Sequence, residues 1–165
     1  MSHESRLQRS LRELISQRRT AALATSARQE GDAPLVSMVP FAWCAEYGCV
    51  VVHVSALAAH TRAMEQHPAV SLLFCAPEMA GEGVHALERV SLQGVASTPP
   101  TGSVLCQAAR AAYVRRFPEA EFMTGLPDFR FVCITPSLAR HVAGFGSARD
   151  VDAGDFTAAL NFTPG

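Results

Sequence analysis

Ser55, His60, Thr61 and Arg62 are the residues whose types and spacing suggest a binding chemistry in this 165-residue chain. They follow an apolar run, VVVHVS, and open a helical stretch that hands over to a second apolar run ending at Phe74. Ser55 can cap that helix, leaving free N–H groups and the positive dipole end as a site for a phosphate. His60 adds a titratable donor, Thr61 a hydroxyl and Arg62 a fixed cation. Charge-assisted bonds from such groups contribute about 1.5–3 kcal/mol each, so two or three suffice for micromolar binding. Ser caps are common, and Arg62 serves equally well as a solvated charge, so the helix start taken alone is an ordinary cap.

The remaining reactive side chains exclude more than they suggest. All 14 basic residues are Arg, so an anion site must use guanidinium, imidazole or backbone N–H groups, and Schiff-base and P-loop chemistries, which need Lys, are absent. With 15 acidic residues the net charge is −1, so no global field recruits nucleic acid or an anionic membrane. Cys44, Cys49, Cys75, Cys106 and Cys133 are odd in number, without CxxC spacing, and read as small reduced core residues. No His or Cys pair has metal-ligand spacing. No signal-peptide core or membrane-length apolar run is visible, which points to a soluble cytoplasmic protein.

Periodicity supplies the scaffold for one domain over residues 1–165. Leu7, Leu11, Leu14 and Ile15 give a helix over residues 5–17, within an N-terminal helical segment 1–18. Short β-rich runs follow at 21–25, 35–44, 49–55, 69–75, 89–97, 128–135 and 139–144, bounded by Gly, Pro or acidic turns. Their number suggests a barrel or sandwich. The stretch 56–66 is a helical crossover, and 77–88 a mobile loop on the barrel's open side. A second helix spans 103–116, with Ser103 as cap, Leu105, Ala108, Ala109, Ala112 and Tyr113 as its buried stripe, and Arg110, Arg115 and Arg116 on a solvated face. Residues 151–165 read as a flexible tail. In the third strand Val50, Val52 and Val54 share one face, while His53 and Ser55 share the other, which is free to meet a cofactor or water. His53 reads as a satisfied interface or surface histidine.

The order of these elements, with VSMVPFAW, HVSALAAHTRAMEQHPAVSLLF, ERVSLQGVA and ARHVAGFG, resembles the pyridoxamine 5′-phosphate oxidase-like FMN-binding split barrels. Within them it is most similar to the HugZ-type haem-utilisation branch. The resemblance covers residues 18–150 and implies a mainly β (α+β) fold, a six- to seven-stranded antiparallel Greek-key split barrel with flanking helices. It also implies a homodimer with FMN in two grooves at the subunit interface, and a small-molecule redox substrate.

Transferred residue by residue, the resemblance puts the flavin against Val36, Ser37, Met38 and Val39, with Pro40 and Phe41 continuing the strand. Val54 and Ser55 match the strand end at the ring and ribityl phosphate, and His60, Thr61 and Arg62 match the phosphate-binding crossover. Arg89, Ser91 and Gln93 match the strand brought from the other subunit. The oxidase's Arg and Lys at the ends of the flavin strand are Val36 and Phe41 here, and its basic crossover pair is Ala59 and His60. The Gln that follows the fifth-strand Arg is Val90. Gly144-Phe145-Gly146 stands where the oxidase holds pyridoxal with Trp and Arg. The expectation is therefore an FMN-dependent oxidoreductase that does not oxidise pyridoxamine phosphate. The alternatives are a HugZ-type haem-binding or haem-degrading protein, with His141 or His85 as axial ligand and Arg140 pairing a propionate, and a non-catalytic flavin or haem module. Proteins of that branch commonly carry a further C-terminal segment, which sets the haem reading behind FMN.

Overall fold

Ser5 opens the first helix, α1 (Arg6–Gln17), through a capping box: its hydroxyl accepts from the Gln8 N–H while the Gln8 side chain accepts from the Ser5 N–H. Leu11, Leu14 and Ile15 on one face are buried against the domain. In the computed structural model residues 4–26 and 31–163 are described. The first three residues of the 1–18 segment and the last two of the 151–165 tail lie outside them.

Seven strands follow: β1 (Thr20–Thr25), β2 (Leu35–Cys44), β3 (Cys49–Ser55), β4 (Ala69–Cys75), β5 (Arg89–Ser97), β6 (Phe129–Val142) and β7 (Ala148–Asp152). All ladders are antiparallel, in the order β3-β2-β1-β4-β5-β6-β7, and a β3–β6 pairing closes the first six into a barrel. Alternate residues point inward, so Leu23, Phe41, Val52, Leu72, Phe74 and Leu92 fill one core. Phe41 and Phe74 meet edge to face there, with centroids 4.7 Å apart. This is the split-barrel architecture expected.

The crossover helix α2 (Ala59–Gln66) buries Ala63 and packs Met64 into the barrel core. The third helix, α3 (Val104–Arg116), capped by Ser103, spends its Ala109, Ala112 and Tyr113 stripe on the outer faces of β2, β3 and β6. That second core holds Cys44, Cys49, Val51 and Cys133, and all five cysteines are free thiols. Arg116 departs from the solvated role expected. Its guanidinium lies 5.2 Å from the Phe41 ring and donates to the carbonyls of Ile15, Ser16 and Arg18, tying α3 to the end of α1. Burial lowers its pKa, with Arg19 adding to the effect.

Two other expectations change. The runs 128–135 and 139–144 form one strand, because Pro136 sits where β6 leaves β3, last paired at Ile134, and takes up β7 from Leu138. No ladder partner needs the missing proline N–H on that side. Gly94 lies opposite, at the register shift, where a Cβ would come within 2.6 Å of the Thr135 carbonyl oxygen. The expected tail is instead β7 and a fourth helix, α4 (Ala153–Asn161), capped by Asp152 through the Asp155 N–H. Its Phe156 is buried edge-on to Trp43, and Trp43 Nε1 donates to Asn161 Oδ1 at 2.8 Å. No helix among the described residues is long and apolar enough to cross a membrane.

Candidate functional site

The barrel is open between two neighbouring strands. β2 pairs with β3 only from Phe41 to Cys44, and its first six residues, 35–40, bond to β1 alone. The strands part where β3 runs on to Ser55 and turns into α2. Main-chain groups of β2 along this split have no β3 partner, a place where a flat ligand can lie against backbone. Val36 and Met38 project outward, 65% and 70% exposed, whereas Val39 and Val54 point into the barrel core. The last two contribute backbone only to anything bound outside.

The start of α2 differs from the expected cap. Ala58 holds the N-cap position without a side-chain bond, because Ser55 lies three residues too early and its hydroxyl accepts from the Leu57 N–H. Thr61 is withdrawn from ligand binding: it is buried, and its hydroxyl donates to the Ser55 carbonyl at 2.7 Å. What remains without a partner among the described residues at the start of α2 is the N–H groups of Ala59 and His60, while Arg62 is exposed on the same turn. His60 Nδ1 lies 3.2 Å from Ser37 Oγ, while its Nε2 is buried without a partner. Burial lowers the His60 pKa, favouring the neutral ring.

Ser91 and Gln93 lie on the same outer sheet face but far from the split. Register places Met38, Ala22, Leu73, Ser91 and Arg140 in one cross-strand row and Val36, Ala24, Ser71, Gln93 and Leu138 in the next. At about 4.8 Å per strand, Ser91 and Gln93 are roughly 14 Å from their β2 counterparts. Within one chain they do not join the α2 groups. Arg89, half-buried, donates to the Leu87 carbonyl at 3.1 Å.

The structure separates the two haem-ligand candidates. His141 faces inward with Ala139, is 1% exposed, and has Nε2 2.7 Å from Glu88 Oε1, which also accepts from the Ser10 hydroxyl of α1. It is a structural residue, out of reach of a ligand on the outer face. The alternation of inward Ala139 and His141 with outward Leu138 and Arg140 carried that signal in the sequence; the partner, Glu88, carried none. His85 is exposed, on a 3₁₀ turn (Val84–Ala86) of the loop before β5. It shares a cavity of about 410 Å³ with Arg89, Arg140 and the Gly144-Phe145-Gly146 turn. Phe145 is 88% exposed, held out by a turn in which Gly144 and Gly146 both take positive φ. Arg140 pairs with Asp150 at 2.8 Å in an exposed ion pair, the kind that contributes at most about 1 kcal/mol and exchanges readily for another anion.

The outer face of β3 is not free for a cofactor along its length. α3 covers its Cys49 and Val51 end, and His53 packs against Tyr113, Phe129 and Phe131, with its pKa lowered by burial.

Comparison with known proteins agrees with this architecture. A family model described as pyridoxamine 5′-phosphate oxidase matches residues 7–143. The haem oxygenase HutZ of Vibrio cholerae is 30% identical over 154 residues, 92% of this chain and 85% of that protein. The chloroplastic non-canonical haem oxygenase HOZ of Arabidopsis thaliana is 35% identical over 127 residues, 76% of this chain and 37% of that one. A haem-binding protein from Mycobacterium smegmatis superposes with a TM-score of 0.81 at 28% identity, over 96% of this chain and 62% of its own. The chain thus spans less than two thirds of the length of the last two. Barrel, crossover helix and these likenesses together show that the chain belongs to the pyridoxamine 5′-phosphate oxidase-like split-barrel family, in its HugZ-type branch.

Proposed function

We propose that this protein binds haem and takes part in its breakdown. The observation that carries the reading is the cavity of His85, Arg89, Arg140 and the Phe145 turn. Its donor set fits haem: an imidazole that could ligate the iron, two guanidinium groups that could pair the propionates and an exposed aromatic ring for the macrocycle. Bound haem would supply the oxygen chemistry through its iron. The chain's own part is to orient and to exclude water: His85 fixes one end, Arg89 and Arg140 the acidic edge, and Phe145 covers a flat face. The similarity to HutZ and HOZ, both haem oxygenases by name, supports the reading. Five free cysteines support a reducing, cytoplasmic location. Haem titration tests it: the wild type should develop a Soret band that His85→Ala shifts or abolishes, while Arg89→Ala weakens binding without moving the band. A wild type with no Soret change would overturn the proposal.

A flavin reading has its own support, the open main chain of residues 35–40 beside an unpartnered His60 Nε2 and the free N–H groups of α2. These fit a phosphate and a planar ring. Arg89, Ser91 and Gln93 would complete that groove from a second copy, since one chain holds them three strands away. The two exposed rows, one with Met38 and Leu73 and the next with Val36 and Leu138, suit a homodimer contact, whereas α3, whose stripe is already covered, does not. In this form the chain is an FMN oxidoreductase, not a pyridoxamine phosphate oxidase, because Gly144-Phe145-Gly146 stands where that enzyme holds its substrate with Trp and Arg.

A further inference from the structure

We infer that the cavity under the N-terminal half of α3 is a second ligand site, for a planar nitrogen heterocycle of nucleoside size read by the ring edge of His53. It has a volume of about 580 Å³ and lies against the outer faces of β3 and β6, within the range of small-molecule sites. It shares no lining residue with the His85 cavity, so the inference stands whether or not haem binds there.

His53 carries it. The ring is 8% exposed, and its nitrogens, unlike His60 Nε2 and His141 Nδ1, are not sealed inside the packing. It sits 4.5 Å from the Phe131 centroid and 5.2 Å from Phe129, tilted 35° and 33°. A phenylalanine would pack equally well in such company, without the cost of taking most of an imidazole out of water. The ring also borders the cavity, so that its polar edge is available to whatever enters. Neutral imidazole presents one donor and one acceptor, the pattern a nitrogen heterocycle offers in return. Phe129 and Phe131 supply flat walls, and Pro99, Pro100 and Pro127 stiffen the mouth. At the rim, Arg110 is bound to Glu121 and Arg130 to Glu65. The opening is therefore close to neutral, which suits an uncharged nucleoside better than a polyanion.

Adenosine, guanosine and uridine are the probes, titrated into the full-length protein with 13C-labelled histidine. At least one should bind saturably at millimolar concentration or below and shift the His53 ring resonances while leaving those of His67 in place. His53→Phe, which keeps the aromatic wall, should weaken that binding tenfold or more, and Gln107→Trp, which fills the mouth from the exposed side of α3, should abolish it. Both variants should retain the wild-type haem titration. No saturable binding of any probe to the wild type, or binding that leaves the His53 resonances unmoved, would overturn the inference. So would full affinity in a folded Gln107→Trp.

Discussion

Replacing His141 by Ala should destabilise the fold and leave haem binding intact. The substitution removes a 2.7 Å bond between His141 Nε2 and the Glu88 carboxylate and strands a carboxylate that also holds Ser10 of α1. Loss of a hydrogen bond to a charged partner costs about 1.5–3 kcal/mol. Truncating a fully buried ring adds a cavity penalty, bringing the expected loss to about 2–4 kcal/mol. For a domain of this size each kcal/mol lowers Tm by roughly 2–4 °C, so a fall of about 4–16 °C is expected. Differential scanning fluorimetry reads the Tm, and a haem titration below the lowered Tm reads the Soret band. The Soret response should match the wild type, because His141 points into the barrel wall. An unchanged Tm together with a lost Soret band would refute the reasoning and return His141 to the ligand site.

Phe156→Ala should cost about 3–5 kcal/mol in urea unfolding, since α4 is part of the core and not a tail. Burial holds His53 and His60 below the ordinary imidazole pKa, so below about pH 6.5 the unfolded chain binds more protons than the folded one. Stability should therefore rise with pH through the window beneath 6.5 and fall as acid is added. His53→Phe should flatten the slope in denaturant titrations across that window. Arg62→Ala should weaken FMN binding by about 1.5–3 kcal/mol and leave riboflavin nearly unaffected in fluorescence titrations, because riboflavin lacks the phosphate. Met38→Glu should convert a dimer to monomers in light scattering, since Met38 is 70% exposed on the proposed contact face.

The barrel was legible because its strands alternate: Val50, Val52 and Val54 announce an inward face, and β2 to β5 fall where the apolar runs lie. The C-terminal elements were not. β7 is ARDVD, charged at three of five positions because only Val151 turns inward, and α4 offers too short an apolar stripe to stand out. Pro136 hid the continuity of β6, since its tolerance depends on a partner exchange that only the topology reveals. At the candidate site, local spacing correctly brought His60 and Arg62 to the start of α2. It misassigned Ser55 and Thr61, whose hydroxyls satisfy backbone groups in the turn itself, a competition local sequence does not decide. The meeting of His85, Arg89 and Arg140 depends on β5–β6 register, so spacing alone could not show it.

The sheet ends in two margins of different character. β7 exposes Arg149, Asp150 and Asp152, charges that repel a passing strand and keep that margin from templating aggregates. Residues 35–40 of β2 carry none, only Leu, Val, Ser, Met, Val and Pro. Of the two, β2 is the hazard during synthesis and refolding: until α2 docks against it, its unpaired backbone invites strand addition by another nascent chain. Conditions that loosen α2 should therefore raise the rate of intermolecular β-assembly before they unfold the barrel, and a charge at position 36 should suppress it.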